Sequence, residues 1–221
     1  MKLNIYTYYI IICIFKKAIV QLLRKEKSMK TIKENTNNEI IIRNSRFITY
    51  LYYITSLEEV SIYLEKVKIT WKDASHYCYC YILPNSSKAS DDNEPSKTAG
   101  IPMLEVLKKN DLTNILAITV RYFGGIKLGA GGLIRAYASS IRECLKKCEI
   151  VNLSKGYLYK IETSYTNTKQ ISYLLRNETI LNKEYLDQVV ITFQSINPNI
   201  LDNLNDIKLI SKEEVLIKNS L

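Results

Sequence analysis

The sequence predicts an α+β protein: an N-terminal two-layer βα domain over residues 40–150, followed by a small ferredoxin-like β-α-β-β-α-β unit over residues 156–221. Three observations predict it. Stretches that alternate apolar and polar residues, as strands do, are interleaved with stretches whose apolar residues recur every three or four positions, as helices do. Five of the seven glycines fall between positions 124 and 132, with the most apolar strand-like run (115–123) before them and a helix-like run (133–147) after them. Beyond Gly156 the elements become short, and over residues 151–221 the charge balances, with eight basic and eight acidic side chains. At 221 residues and 47% hydrophobic content, the chain has enough apolar material for a packed core.

The first thirty residues stand apart. They carry seven basic side chains and one acidic one, so the net charge of +9 belongs largely to this extension. The apolar run over residues 5–20 is broken by Lys16 and Lys17, which leaves it too short for a membrane span. It has no small-residue cleavage motif, and its basic residues lie mainly behind the apolar run. Met29 offers another start, making residues 1–28 an upstream extension of the reading frame; a peripheral amphipathic anchor is the other reading. No stable membrane insertion is expected, and the expected location is the cytoplasm.

In the first domain, residues 46–54 are β-branched and aromatic, which predicts a strand. Ser56 is a good N-cap, with Glu58 and Glu59 in the first turn of a helix whose apolar face is Leu57, Val60, Leu64 and Val67. Residues 76–83 form a second strand, ended by Pro84 and Asn85; residues 85–98 read as a polar loop. A helix over residues 99–109 tolerates Pro102 in its first turn. In the second unit, strands are expected over 157–162, 179–181, 189–194 and 215–218, with short helices over 168–176 and 200–207.

Five cysteines, Cys13, Cys78, Cys80, Cys144 and Cys148, contain no C-x-x-C pair, and His76 is the single histidine. Reduced, mostly buried thiols are expected, with no metal site and no cofactor. His76 reads as a strand-end histidine; pairing with Cys78 as a nucleophile is the sharper alternative.

The glycine segment carries the main functional expectation. Glycine serves where the backbone needs positive φ or close approach. A glycine loop leading into a helix aims backbone N–H groups at whatever lies over the helix start. Residues 121–147 hold six basic side chains and one acid. The predicted anion or nucleic-acid site is therefore Arg121, Gly124, Gly125, Lys127, Gly129, Gly131, Gly132 and Arg135. The loop lacks Gly-Lys-Ser/Thr, so it is not a nucleoside-triphosphate P-loop. A second candidate is the acidic loop with Asp91, Asp92 and Glu94. Three carboxylates so close repel one another unless a cation such as Lys97, Arg121 or Arg135 lies near, which would make the cluster structural.

Three blocks, Ser45-Arg46-Phe47-Ile48, residues 90–95 continuing into 98–104, and residues 121–137, resemble in order and spacing the YigZ-type bacterial members of the Impact family. Residues 156–221 look like the second domain of those proteins, which is similar to the C-terminal domain of elongation factor G. The family usually has glycine where this chain has Asn93 and Lys97, lysine at Ile101 and threonine at Ala130. The resemblance implies a role near translation, to which the eukaryotic members are linked. The expected function is a regulatory or binding protein that contacts RNA, the ribosome or a protein partner, with no catalytic residue assigned. The rival is an enzyme acting on a phosphorylated small molecule through Asp91, Asp92 and Glu94.

Overall fold

The computed structural model describes residues 29–202, 204 and 206–218; residues 1–28, which hold the apolar run and all but the last two residues of the basic extension, lie outside the described residues. The protein is mixed α+β with two five-stranded antiparallel sheets. The elements are β1 (Met29–Ile32), β2 (Thr36–Ile42), β3 (Ser45–Tyr53), α1 (Leu57–Thr70), β4 (His76–Leu83), β5 (Ser86–Ser90), α2 (Gly100–Lys109), β6 (Ile115–Tyr122) and α3 (Gly129–Leu145). They continue with β7 (Ile150–Thr163), α4 (Thr168–Leu174), β8 (Thr179–Tyr185), β9 (Val189–Ser195) and β10 (Ile207–Lys218).

The first sheet runs β2-β3-β6-β4-β5. Its central strand β6 is buried from Ile115 to Arg121, because both faces of the sheet are covered. On one face Phe47, Leu51, Cys78, Cys80 and Ala117 pack against α2 and α3 through Met103, Leu107, Tyr137 and Ile141. On the other, Ile48, Tyr52, Ile118 and Val120 pack with Val60 and Val67 of α1. The expected two layers are therefore three, and the unbroken apolar run of β6 is the sequence trace of that double burial.

Three further differences have local causes. β5 lies inside the expected polar loop; it is a short edge strand of serine, lysine and alanine with no β-branched residue to announce it. α3 begins at Gly129, before the expected Leu133; three of the first four residues are glycines, whose low helix propensity hides that turn in the sequence. The helix expected over residues 200–207 is absent from the described residues there. Asp202 and Leu204 donate to the carbonyls three residues back, and Asp206 takes φ +66°, as turn-forming Asn and Asp do.

The second sheet is built on β7. One edge of β7 pairs with β10 over Leu153–Thr163. The other pairs with β9 over Tyr157–Thr163 and, before that, with β1 over Ile150–Leu153. Gly156, expected at a junction, lies within β7 because a Cβ there would meet Ile217 Cδ1 at 2.2 Å and Ser195 O at 2.9 Å. The core of this unit is Tyr159, Ile161, Phe193 and Ile191 against Ile171 and Leu175.

Candidate anion-binding site

The site lies where β6 ends, β4 begins and the starts of α2 and α3 come together. Leaving β6, the chain passes so close to the β2–β3 turn that a Cβ on Gly124 would fall 2.0 Å from the Asn44 carbonyl carbon. Ser45 Oγ accepts from Gly124 N at 3.2 Å, and Ser75 Oγ accepts from Phe123 N at 3.1 Å, so two serines pin the loop. Gly125 and Gly129 take φ +82° and +69°. Gly131 and Gly132 sit in the first turn of α3, which has no side-chain cap and no acidic residue. Lys127 and Arg135 are exposed beside it. The Arg135 guanidinium folds back over that turn, with Nη1 3.5 Å from where a Gly131 Cβ would stand. The result is a helix start with free N–H groups, partial positive charge and two flanking cations.

Arg121 does not join them. It is 5% exposed, and its Nη1 donates to Glu94 Oε1 at 2.5 Å. Its Nη2 reaches Ser45 Oγ at 3.4 Å, while Nε has no partner among the described residues. The expectation of Arg121 as a surface cation is corrected: strand parity turns it inward, and a buried carboxylate neutralises it.

The acidic loop is occupied by the protein itself. Asp91 caps α2, taking Ala99 N at 3.0 Å and Gly100 N at 2.8 Å on Oδ1 and Lys97 N at 2.8 Å on Oδ2. Asp92 Oδ2 accepts from Tyr77 N at 2.6 Å. Its carbonyl lies 2.8 Å from His76 Nδ1, which fixes the proton on that ring nitrogen because a carbonyl only accepts. Glu94 also accepts from the Tyr137 hydroxyl at 2.8 Å, and His76 Nε2 stands 3.8 Å away. Asn93 and Lys97 take φ +65° and +64°, the conformation for which glycine is the cheaper residue.

Cys78 completes the buried network. Its Sγ donates to the Asp91 carbonyl at 3.0 Å or the Tyr137 hydroxyl at 3.3 Å. Burial, reinforced by the charges of Glu94, Asp92 and Asp91, pushes the Cys78 thiol well above its ordinary range, against the smaller opposing effect of the Tyr137 hydrogen bond. Burial also pushes the Tyr137 hydroxyl up. A nucleophilic Cys78–His76 pair is thus corrected, since a thiol held neutral is a poor nucleophile. Among the described residues no group of three or more His, Cys, Asp or Glu is placed to hold a metal ion.

Of the residues singled out in the sequence, Gly129, Gly131 and Gly132 open α3, Arg135 reaches back over Gly131, and Lys127 is exposed on the loop before the helix. The sequence reading missed the anchoring role of Ser75 and Tyr137 and the exposed apolar rim of Phe123, Ile126 and Ile134. A hydrophobic residue directly beside a glycine turn was the available signal for Phe123 and Ile126.

Comparison with known proteins gives four findings. The Impact N-terminal domain matches residues 43–145. The IMPACT family member YvyE of Bacillus subtilis is 43% identical over 157 residues, 70% of this chain and 72% of that protein. The IMPACT family member YigZ of Escherichia coli is 34% identical over 151 residues, 65% of this chain and 74% of that protein. A crystal structure described only as that of an hypothetical protein aligns with TM-score 0.59 at 27% identity, over 84% of this chain and 98% of the other.

Proposed function

This chain belongs to the Impact family, and from that premise we propose that it is a translation-associated binding protein that meets the phosphates of RNA at the start of α3. The observation that carries this reading is the uncapped, acid-free first turn of α3, with Arg135 folded over Gly131 and Lys127 on the approaching loop. Such a helix start favours phosphate oxygens through its N–H groups and its dipole, and the two cations add a salt-sensitive attraction. Gly124, Gly125, Gly129, Gly131 and Gly132 serve by letting a phosphate approach the backbone, whereas Arg121 holds the loop from beneath.

The second unit is read as a ferredoxin-like docking module resembling the C-terminal domain of elongation factor G. Its strand order β10-β7-β9-β8, with α4 crossing between β7 and β8, supports this, although the described residues between β9 and β10 form no second helix. A cytoplasmic setting belongs to the same reading, in keeping with the free buried thiols of Cys78, Cys80 and Cys144. No helix among the described residues is long and apolar enough to cross a membrane. The rival, catalysis by Asp91, Asp92 and Glu94 on a phosphorylated small molecule, is less well supported, because all three carboxylates already accept from protein donors.

The test is binding of a short labelled RNA and of ribosomes to the full chain between about 50 and 200 mM salt. Arg135→Ala and Lys127→Ala should each weaken binding and lower the salt slope by about one. Absence of binding at the low-salt end removes the proposal.

A further inference from the structure

The opposite ends of α2 and α3 hold a second concave surface, unrelated to the glycine loop. Arg142 lies thirteen positions after Gly129, which places it roughly 20 Å along the same helix. Here a hollow of about 350 Å³ is lined by Val106 and Lys109 of α2, Arg142, Leu145 and Lys146 at the end of α3, and Ile150 of β7. A neighbouring hollow of about 500 Å³ shares Lys109, Asn110 and Ile150 and adds Lys30 of β1, Asp111 and Asn152. The two form one groove. Its floor is aliphatic, from the buried Val106 and Leu145 to the 38% exposed Ile150. Its rim is cationic: Lys109 and Arg142 are exposed, and neither is paired with a carboxylate among the described residues. Lys146 is already bound to Glu143 at 2.7 Å.

Cations at helix C-termini complement the helix dipole, and that alone accounts for lysines on a convex end. It does not account for an arginine and a lysine that line the same apolar hollow without a carboxylate partner among the described residues, with Lys30 of a strand lining the neighbouring one. We propose that this groove takes an acidic segment of a partner protein in which carboxylates flank an aliphatic side chain. The carboxylates meet Arg142, whose planar fork suits them, and Lys109; the aliphatic side chain rests on Val106, Leu145 and Ile150. Single-stranded nucleic acid fits less well because no aromatic side chain lines either hollow, so its bases would find no stacking platform.

The probe is a short fluorescein-labelled peptide of repeated glutamate, glutamate and leucine, measured by anisotropy against the full chain. Controls are the same peptide with glutamines for glutamates and an oligouridylate of matching length. The acidic peptide should bind saturably, and Arg142→Glu and Lys109→Glu should each weaken it about tenfold or more, as loss of a charge-assisted contact does. Arg142→Gln should give a smaller loss, and Lys66→Glu, exposed on α1 across the first sheet, should change nothing. Both groove residues are exposed, and an unchanged thermal midpoint verifies the fold of each variant. The proposal is overturned if the acidic peptide does not bind, if Arg142→Glu leaves its affinity unaltered, if the glutamine peptide binds as well, or if the oligouridylate displaces it from the groove.

Discussion

The Arg121 guanidinium and the Glu94 carboxylate meet at 2.5 Å with both side chains almost fully buried, at 6% and 3% exposure. The pair ties the acidic loop to β6, and the Tyr137 hydroxyl on the same carboxylate oxygen ties both to α3. The ring of Phe47 lies edge-on to Tyr137 at 5.2 Å and beneath the Arg121 guanidinium at 5.5 Å, so the ion pair is walled by aromatic surface. The two loops of the candidate site are therefore set relative to one another by an interior contact.

Removing one member of that pair should unfold more than the loop. Glu94→Gln leaves the Arg121 charge buried without a counter-charge, which costs about 3–5 kcal/mol. Urea denaturation checks this. The double variant Glu94→Leu with Arg121→Met, which removes both charges, should be more stable than Glu94→Gln.

The glycines of the loop should separate by substitution to alanine. Gly124→Ala drives a Cβ into the Asn44 backbone and should destabilise by more than about 3 kcal/mol or fail to fold. Gly131→Ala meets only the mobile end of Arg135 at 3.5 Å and lies in a helical turn, so it should stabilise by about 0.5–1 kcal/mol. Thermal denaturation of the two variants side by side distinguishes a packing glycine from a permissive one.

Lys97→Gly should raise stability by about 1 kcal/mol. Lys97 holds φ +64°, and its backbone N–H, which glycine retains, is what Asp91 accepts. A fall in the denaturation midpoint would instead assign the lysine side chain a stabilising contact.

Stability should fall in alkali, beginning near pH 9. Burial pushes the Cys80 thiol well above its ordinary value of 9.0 and the Cys144 thiol up to about 12. For each group the folded-state value exceeds the unfolded one, so its contribution is whole below pH 9. Above that, the unfolded chain releases the proton first and stability declines until the folded-state value is reached. Burial likewise raises Tyr52 to about 12 from an ordinary 10.0, extending the decline. Each such group adds a slope of up to about 1.4 kcal/mol per pH unit. Urea midpoints between pH 8 and 11 should show the fall, and Cys80→Ala should flatten its onset even though it lowers stability at neutral pH.

Much of the fold is written in local pattern. Ser56 followed by Glu59 marks the start of α1, where Glu59 Oε2 accepts from Ser56 N at 3.1 Å. The strand expected over residues 189–194 is β9 with one more residue, its side chains alternating between buried and half-buried. What stayed hidden was set by partners distant in sequence. Arg121 shares strand parity with Ala117 and Thr119, so its inward direction was legible. That Glu94 would meet it depended on the left-handed turn at Asp92 and Asn93, which brings a residue twenty-seven positions away beneath β6. The span of β7 was obscured in the same way: its first residues are a strand only because β1 lies beside them, and nothing within residues 150–153 announces that partner.

The pairing of Met29–Ile32 with Ile150–Leu153 sets an order of events during synthesis. β1 leaves the ribosome before every other described strand, and although Lys30 can bond to residues 111–113 earlier, the strand that pairs with its other edge does not exist until more than a hundred further residues have been made. At about 5–20 residues per second that is a wait on the order of ten seconds. For that interval the earliest-made strand has an open hydrogen-bonding edge looking for a mate. Closing the clasp at Leu153 is accordingly a late event in maturation, and an N-terminal truncation that removes these four residues would leave the seam between the two sheets unsealed.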